Sequence, residues 1–292
     1  MALRKRRNFV WTTLIIALFS FNILAWIVVY DLNKTQFLEV IFFDVGQGDT
    51  IFIETPQKQQ ILIDGGPSST ILGKLGNEMP FWDRSIDLLI LTHPERDHLI
   101  GLIEVLKRYK IDYILWTGVK KETAEYQEWL KLISQEKADL KIAKSNQKIK
   151  WSISNLDQYI EIFYPFENLE GKVFKDSNNT SIVAKLVFKE NSFLFSGDAY
   201  KSVERKILNK GVNIDSDVLK IGHHGSKTSS SEEFIARVSP EIAVISAGKE
   251  NPYGHPHQEV LETLTKYGIK ILTTAKNGDL KIISDGKNLT IK

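Results

Sequence analysis

The chain has 292 residues, 42% apolar and 25% charged, enough for one large domain or two small ones, and this composition excludes intrinsic disorder as the main state. Cysteine is absent, so disulfides, thiolate nucleophiles and cysteine-ligated metal sites are excluded, and any metal must be held by His, Asp, Glu, Asn or backbone groups. The net charge of +2 rests on Arg4, Lys5, Arg6 and Arg7: without them 38 − 4 = 34 basic residues face 36 acidic ones, or −2 over 31–292, which excludes a broadly basic nucleic-acid-coating module.

Residues 1–8 read as a basic cytoplasmic N-terminus. Residues 9–30 (FVWTTLIIALFSFNILAWIVVY) carry no charge and would reach roughly 33 Å as a helix, the thickness of a bilayer's hydrocarbon core. Trp11, Trp26 and Tyr30 stand near its ends, and the bulky WIVVY end offers no small-residue cleavage site. The expectation is a single-pass membrane anchor with its N-terminus cytoplasmic and residues 31–292 extracytoplasmic.

Short strand-like runs follow, FLEVIFFDV, TIFIET and QILID, separated by turn signals as in a β-meander. DLLILTHPERDH is an apolar run ending in a polar cluster, followed by a helical pattern over 98–109; residues 122–137 read as a second helix, and 139–164 as two or three strands with a Lys-rich face. Beyond the loop at 165–179, TSIVAKLVFKE and NSFLFSGD read as a hairpin. A helix over 200–210, strand SDVLKIG, helix 231–238, strand EIAVISAG, helix 257–267 and terminal strands complete the chain. Two strand series, each backed by helices, predict an α/β protein with one four-layer αββα sandwich over 31–292.

Polar residues gather where the predicted strands end, the usual place for sites in α/β folds. His93-Pro94-Glu95-Arg96-Asp97-His98 offers four potential ligands at positions 1, 3, 5 and 6 of a strand-to-helix junction, where one sharp turn can aim several at one point. Asp198 closes the strand NSFLFSG; a buried acid there needs positive partners and can bridge two cations. His223 and His224 follow DVLKIG, and because neighbours on an extended chain point apart, one of them is expected to be a direct ligand. His255 and His257 lie in NPYGHPH, so all six histidines fall in three strand-end loops. The glycines of GQGD (46–49, ending in Asp49) and DGGPSS (64–69) allow tight turns but do not make a phosphate loop. Asp64 reads as a carboxylate that holds a histidine.

These residues resemble the metallo-β-lactamase-fold hydrolases. More narrowly, FFDVGQGDTIFIET, ILIDGG, LTHPERDHLIG, NNTSIVAKL, FLFSGD, LKIGHHGS and NPYGHPH look like the hydrolase domain of ComEC-type competence (DNA-uptake) proteins over roughly 38–292. The resemblance implies a metallo-β-lactamase sandwich in which His93, Asp97, His98, Asp198 and His224 match ligand positions and Asp64 the strand-end Asp. Glu95 stands where the wider family has His, and Asn178, Asn179 and Ser181 where another His is common. That trade of nitrogen for oxygen favours Mn²⁺ beside Zn²⁺.

The expected protein is a tethered metal-dependent phosphodiesterase or DNA nuclease using two divalent ions and a bridging hydroxide, beside a membrane channel partner. One ion falls to Asp97, His98, Asp198 and His224. The other falls to His93, Glu95 and Asp198, with Asn179 or His223. Asp97 would orient the nucleophile, Ser226 and Tyr253 would meet phosphate oxygens, Asp49 would support the site, and His255 would protonate the leaving group. Lys220, Lys227, Lys249 and the Lys137–Lys150 stretch beside Trp151 are the local basic groups. Two rivals stand beside this reading. One is an envelope phosphodiesterase or esterase acting on teichoic-acid-like or lipid head groups; the other is an inactive metal- or nucleic-acid-binding module.

Overall fold

The computed structural model describes residues 2–33, 37–150 and 158–292, with side chains of the N-terminal helix described at 11–26 and 29. It divides into two units, Met1–Gln36 and Phe37–Lys292. The first is the helix α1 (Ala2–Asn33). Among the described residues no helix is long and apolar enough to cross a membrane. The anchor expected over 9–30, and the extracytoplasmic placement drawn from it, are therefore not supported. The continuous run of described side chains, 11–26, extends about 24 Å as a helix against a core of roughly 30 Å, and the side chains at 9, 10, 27, 28 and 30 lie outside the described residues.

In the second unit, β1 (Leu38–Phe42), β2 (Ile51–Glu54) and β3 (Gln60–Ile63) form the expected antiparallel meander. The helix α2 (Thr70–Glu78) leads to β4 (Ser85–Leu91), α3 (Arg96–Leu106), β5 (Lys110–Trp116), α4 (Ala124–Gln135) and β6 (Asp139–Ile142), with β3 to β6 parallel. β7 (Lys148–Lys150), β8 (Gln158–Tyr164), β9 (Val183–Phe188) and β10 (Asn191–Phe195) pair antiparallel in a second sheet. α5 (Lys201–Lys210), β11 (Val218–Lys220), α6 (Glu232–Val238), β12 (Ile242–Ile245), α7 (Gln258–Lys266), β13 (Lys270–Thr273) and α8 (Thr274–Asn277) follow, β10 to β13 being parallel. β14 (Leu280–Ser284) and β15 (Leu289–Ile291) return to the first sheet. The sheet orders are β15-β14-β1-β2-β3-β4-β5-β6 and β13-β12-β11-β10-β9-β8-β7. The stretch 139–164 is thus shared between the sheets, and Trp151 lies outside the described residues.

Strand alternation builds the layers. Val40, Phe42, Phe193, Phe195 and Val244 meet between the sheets. Ile41 and Phe43 turn outward onto Leu75, Leu102 and Trp129 of α2, α3 and α4, while Leu194 and Ile245 turn onto Val203, Ile235 and Leu264 of α5, α6 and α7. Helices, sheet, sheet and helices make the expected four layers. Parallel pairing carries the C-terminal ends of β3, β4 and β5 to one edge of the first sheet, and those of β10, β11 and β12 to one edge of the second. The site lies where these edges face one another.

Candidate metal centre

The geometry starts at a backbone contact. A Cβ on Gly101 would lie 1.8 Å from the Gly65 carbonyl oxygen, and one on Gly65 would lie 2.3 Å from the Leu102 nitrogen, so only two glycines let α3 press onto the loop after β3. Gly65 N–H donates to the His98 carbonyl at 2.8 Å across this contact. Asp64, at φ 57°, then receives Thr92 N–H (2.8 Å), Thr92 Oγ1–H (2.6 Å) and His98 Nδ1–H (2.8 Å). The expected carboxylate–histidine contact is in place, and it aims the other ring nitrogen of His98 away from Asp64.

The same logic fixes three more rings. Thr92 Oγ1 has given its proton to Asp64, so it accepts from His93 Nδ1 at 3.0 Å. Thr228 Oγ1 donates to Ser226 Oγ and therefore accepts from His223 Nδ1 at 2.8 Å. His224 Nδ1 donates to the Ser246 carbonyl at 3.0 Å. Every Nδ1 is engaged, and every Nε2 converges on one carboxylate oxygen: Asp198 Oδ2 lies 3.4 Å from His98 and His224 Nε2 and 3.9 Å from His93 and His223 Nε2. Asp198 is held by its own N–H donating to Ser181 Oγ at 3.0 Å.

Both His223 and His224 reach the centre, which corrects the expectation that adjacent imidazoles must diverge. That expectation assumed an extended chain. Here the two residues have φ of 47° and 56° within the 3₁₀ turn Gly222–Gly225, and the left-handed bend brings consecutive side chains to one side. Backbone strain of this kind collects at sites where the surroundings over-determine it.

Asp97 Oδ2 lies 3.1 Å from His224 Nε2, and Asp97, His98, Asp198 and His224 bring four ligand atoms within 4.8 Å of one another. His93 Nε2, His98 Nε2 and Asp198 Oδ1 are buried with no hydrogen-bond partner among the described residues. Orphaned polar atoms cost about 1–3 kcal/mol each, and orphans on three neighbouring side chains, His93 and His98 both closing on Asp198, fit a divalent cation. The charges agree. Burial pulls His98 and His224 down, yet Asp198 with Asp64, and Asp198 with Asp49, hold their imidazoles well above the usual range. Asp198 stays well below it: burial pushes it up, but His224 and His98 outweigh that. Burial and the neighbouring His98 push His93 down to about 3, leaving a neutral ligand.

Other expected residues lie elsewhere. The Glu95 carboxylate, expected to be a metal ligand, is bound by Lys121 Nζ and Ser177 Oγ. Asn179 Oδ1 accepts from Ser202 at 3.0 Å; its neighbour Asn178 faces the site instead, with Nδ2 3.3 Å from His223 Nε2 and 3.1 Å from Tyr200 Oη. Ser226 is buried in its own loop. Lys220, counted among the local basic groups, is fully buried and pairs with Asp49 Oδ2 at 2.8 Å. Asp49 Oδ1 lies 3.3 Å from His224 Nδ1 and so supports the site as expected. His257 Nδ1 accepts from Lys227 N–H at 3.3 Å.

His255 stacks beneath exposed Tyr253, ring centroids 5.6 Å apart. Gly248 N–H donates to Gln47 Oε1 at 3.1 Å, which turns the Gln47 amide toward His255 Nδ1 at 3.4 Å. Nδ1 is then an acceptor and Nε2 carries the hydrogen. Burial and the nearby His224 and His223 push His255 down to about 4, so at neutral pH it donates a hydrogen bond but holds no second proton for a leaving group. The centre opens into a cleft of about 650 Å³ walled by Gln47, Tyr253, His255, Asn178, Tyr200, Glu95, Lys121 and Lys175. Gln47, Tyr200, Lys121 and Lys175 were not singled out by sequence as parts of the site. Gln47 lies within GQGD and Tyr200 two residues after Asp198, the nearest features the sequence had marked.

A family model described as "Metallo-beta-lactamase superfamily" matches residues 43–249. The chain is 34% identical over 262 residues to ComE operon protein 3 of Bacillus subtilis (strain 168), covering 83% of this chain and 32% of that protein. It is 30% identical over 243 residues to Competence protein ComA of Neisseria gonorrhoeae, again covering 83% and 32%. The chain thus spans about a third of the length of these curated relatives. Among solved structures, the long form RNase Z from yeast matches with TM-score 0.45 and 11% identity over 75% of this chain and 38% of that one.

Proposed function

Because the chain belongs to the metallo-beta-lactamase superfamily and has ComEC-type competence proteins among its homologues, we propose that it is a metal-dependent phosphodiesterase acting on DNA. The observation that carries this is the convergence of four imidazole Nε2 atoms on Asp198 Oδ2. Asp97, His98, Asp198 and His224 would hold one divalent cation, and His93 and His223 with Asp198 a second; a mixed nitrogen and oxygen donor set suits Zn²⁺ or Mn²⁺. Bound there, divalent cations supply Lewis acidity, acidifying water and drawing charge from phosphoryl oxygens.

The protein's own groups do the rest. Burial would raise Asp97, but His98 and the contact with His224 keep it ionised, so its carboxylate can accept a hydrogen bond from an attacking water in the cleft and orient it. His255 Nε2–H, fixed by Gln47, is placed to donate to a nonbridging phosphate oxygen. Tyr253 offers an exposed aromatic face beside it for a base. The ComEC-type likeness keeps a membrane channel partner as part of this proposal.

Labelled single-stranded DNA, duplex DNA and bis-p-nitrophenyl phosphate, each incubated with the metal-loaded full chain, test the proposal. DNA and the model diester should both be cleaved, and a chelator should stop both reactions. Cleavage of the model diester with no turnover of DNA would move the assignment to an envelope diester. Absence of all turnover in protein carrying one ion or none would make it a binding module.

A further inference from the structure

Glu95 sits in the midst of the metal-ligand cluster in sequence, yet its carboxylate is engaged elsewhere. The loop after β5 is zipped onto the segment after β8: Gly171 N–H donates to the Gly118 carbonyl and Lys120 N–H to the Lys172 carbonyl, both at 2.9 Å, and Lys120 bridges Val173. This brings Lys121 to the cleft wall beside Glu95, where Lys121 Nζ and Ser177 Oγ both engage Glu95 Oε1. The Ser177 side chain is buried, and Lys121 is only 19% exposed although it lines the cleft. A lysine held this way loses little freedom when it meets an anion. An ammonium has three donors, and Glu95 takes one.

We infer that Glu95 is a positioning residue for Lys121, and that Lys121 Nζ binds a phosphate oxygen of the substrate diester in the cleft. This rests on the hydrolase reading above for the identity of the ligand. Glu95 then replaces a metal ligand by a tether for a phosphate-binding cation, and the metal centre is complete without it.

Equilibrium binding of a fluorescent oligothymidylate, metal content and cleavage kinetics are measured on the metal-loaded full chain and on Lys121→Ala, Lys121→Arg and Glu95→Gln. Lys121→Ala should bind the oligonucleotide about tenfold more weakly, the scale of one charge-assisted hydrogen bond, and the slope of log affinity against log salt should fall by about 0.7. KM should rise with kcat nearly unchanged, Lys121→Arg should restore binding, and Glu95→Gln should keep the wild-type metal content while weakening binding. Loss of metal in Glu95→Gln would make Glu95 a ligand and overturn the assignment, as would unchanged binding in Lys121→Ala. The two readings fail separately. Wild-type protein that binds but cleaves nothing, with Lys121→Ala binding more weakly, refutes the hydrolase and keeps the tether; normal cleavage with unchanged Lys121→Ala binding does the reverse.

Discussion

Asp198→Ala should lose bound metal and more than about 10³-fold in diester cleavage, because charge stabilisation of several kcal/mol disappears and each 1.4 kcal/mol is a decade in rate. Its carboxylate is the point on which four imidazoles converge, so no neighbouring group can replace it. The sandwich should survive, since the apolar layer formed by Phe42, Phe193, Phe195 and Val244 is untouched. A second readout comes from the metal-free protein. His98 and His224 have folded-state values raised above 6.5, chiefly by Asp198 acting against burial. Their stabilising contribution is therefore complete below about pH 6.5 and lost as pH rises through the raised folded values. Urea midpoints of the chelated wild type should fall over that window, and those of Asp198→Ala should fall less. Retention of activity and metal by the variant would remove Asp198 from the centre.

Lys220→Met is expected to destabilise the chelated protein by about 3–5 kcal/mol, the usual penalty for stranding one member of a buried ion pair. Lys220 points into the layer between the sheets and binds Asp49, which follows β1, so the pair joins the two sheets beneath the metal centre. Burial raises the Asp49 carboxyl, but Lys220 and His224 together hold it below its ordinary value; without Lys220 that charge keeps its desolvation and loses its main partner. Adding Asp49→Asn should recover at least half of the loss, because the stranded charge is gone. Denaturant unfolding of the wild type, Lys220→Met and the double variant checks this. A single variant within about 1 kcal/mol of wild type would show that the pair contributes little.

The meander over 38–63 was legible because FLEVIFF alternates between two buried faces, and the histidine loops because six histidines at strand ends stand out from their surroundings. α2 went unrecognised because Gly73 and Gly76 weaken the helical pattern of TILGKLGNE, which packing of Ile71 and Leu75 overrides. Lys220 read only as a local basic group because its partner lies 171 residues away in sequence, and no local pattern announces a buried ion pair. The contacts of Glu95 were hidden for the same reason: it sits among His93, Asp97 and His98 in sequence, while its partners, Lys121 and Ser177, come from distant loops. The choice of Asn178 over Asn179 depended on which way the single turn Asn178–Thr180 faces. Periodicity and residue type revealed the elements and most of the side chains gathered at the candidate centre; contacts between distant loops had to come from the folded chain.

The most direct measurement is anomalous scattering from crystals of the protein grown with Mn²⁺ or Zn²⁺. Two metal peaks are expected, both bonded to Asp198, one also to Asp97, His98 and His224 and the other to His93 and His223, with Glu95 still on Lys121. Density without a metal peak among these imidazoles, or a metal held by other side chains, would contradict the assignment.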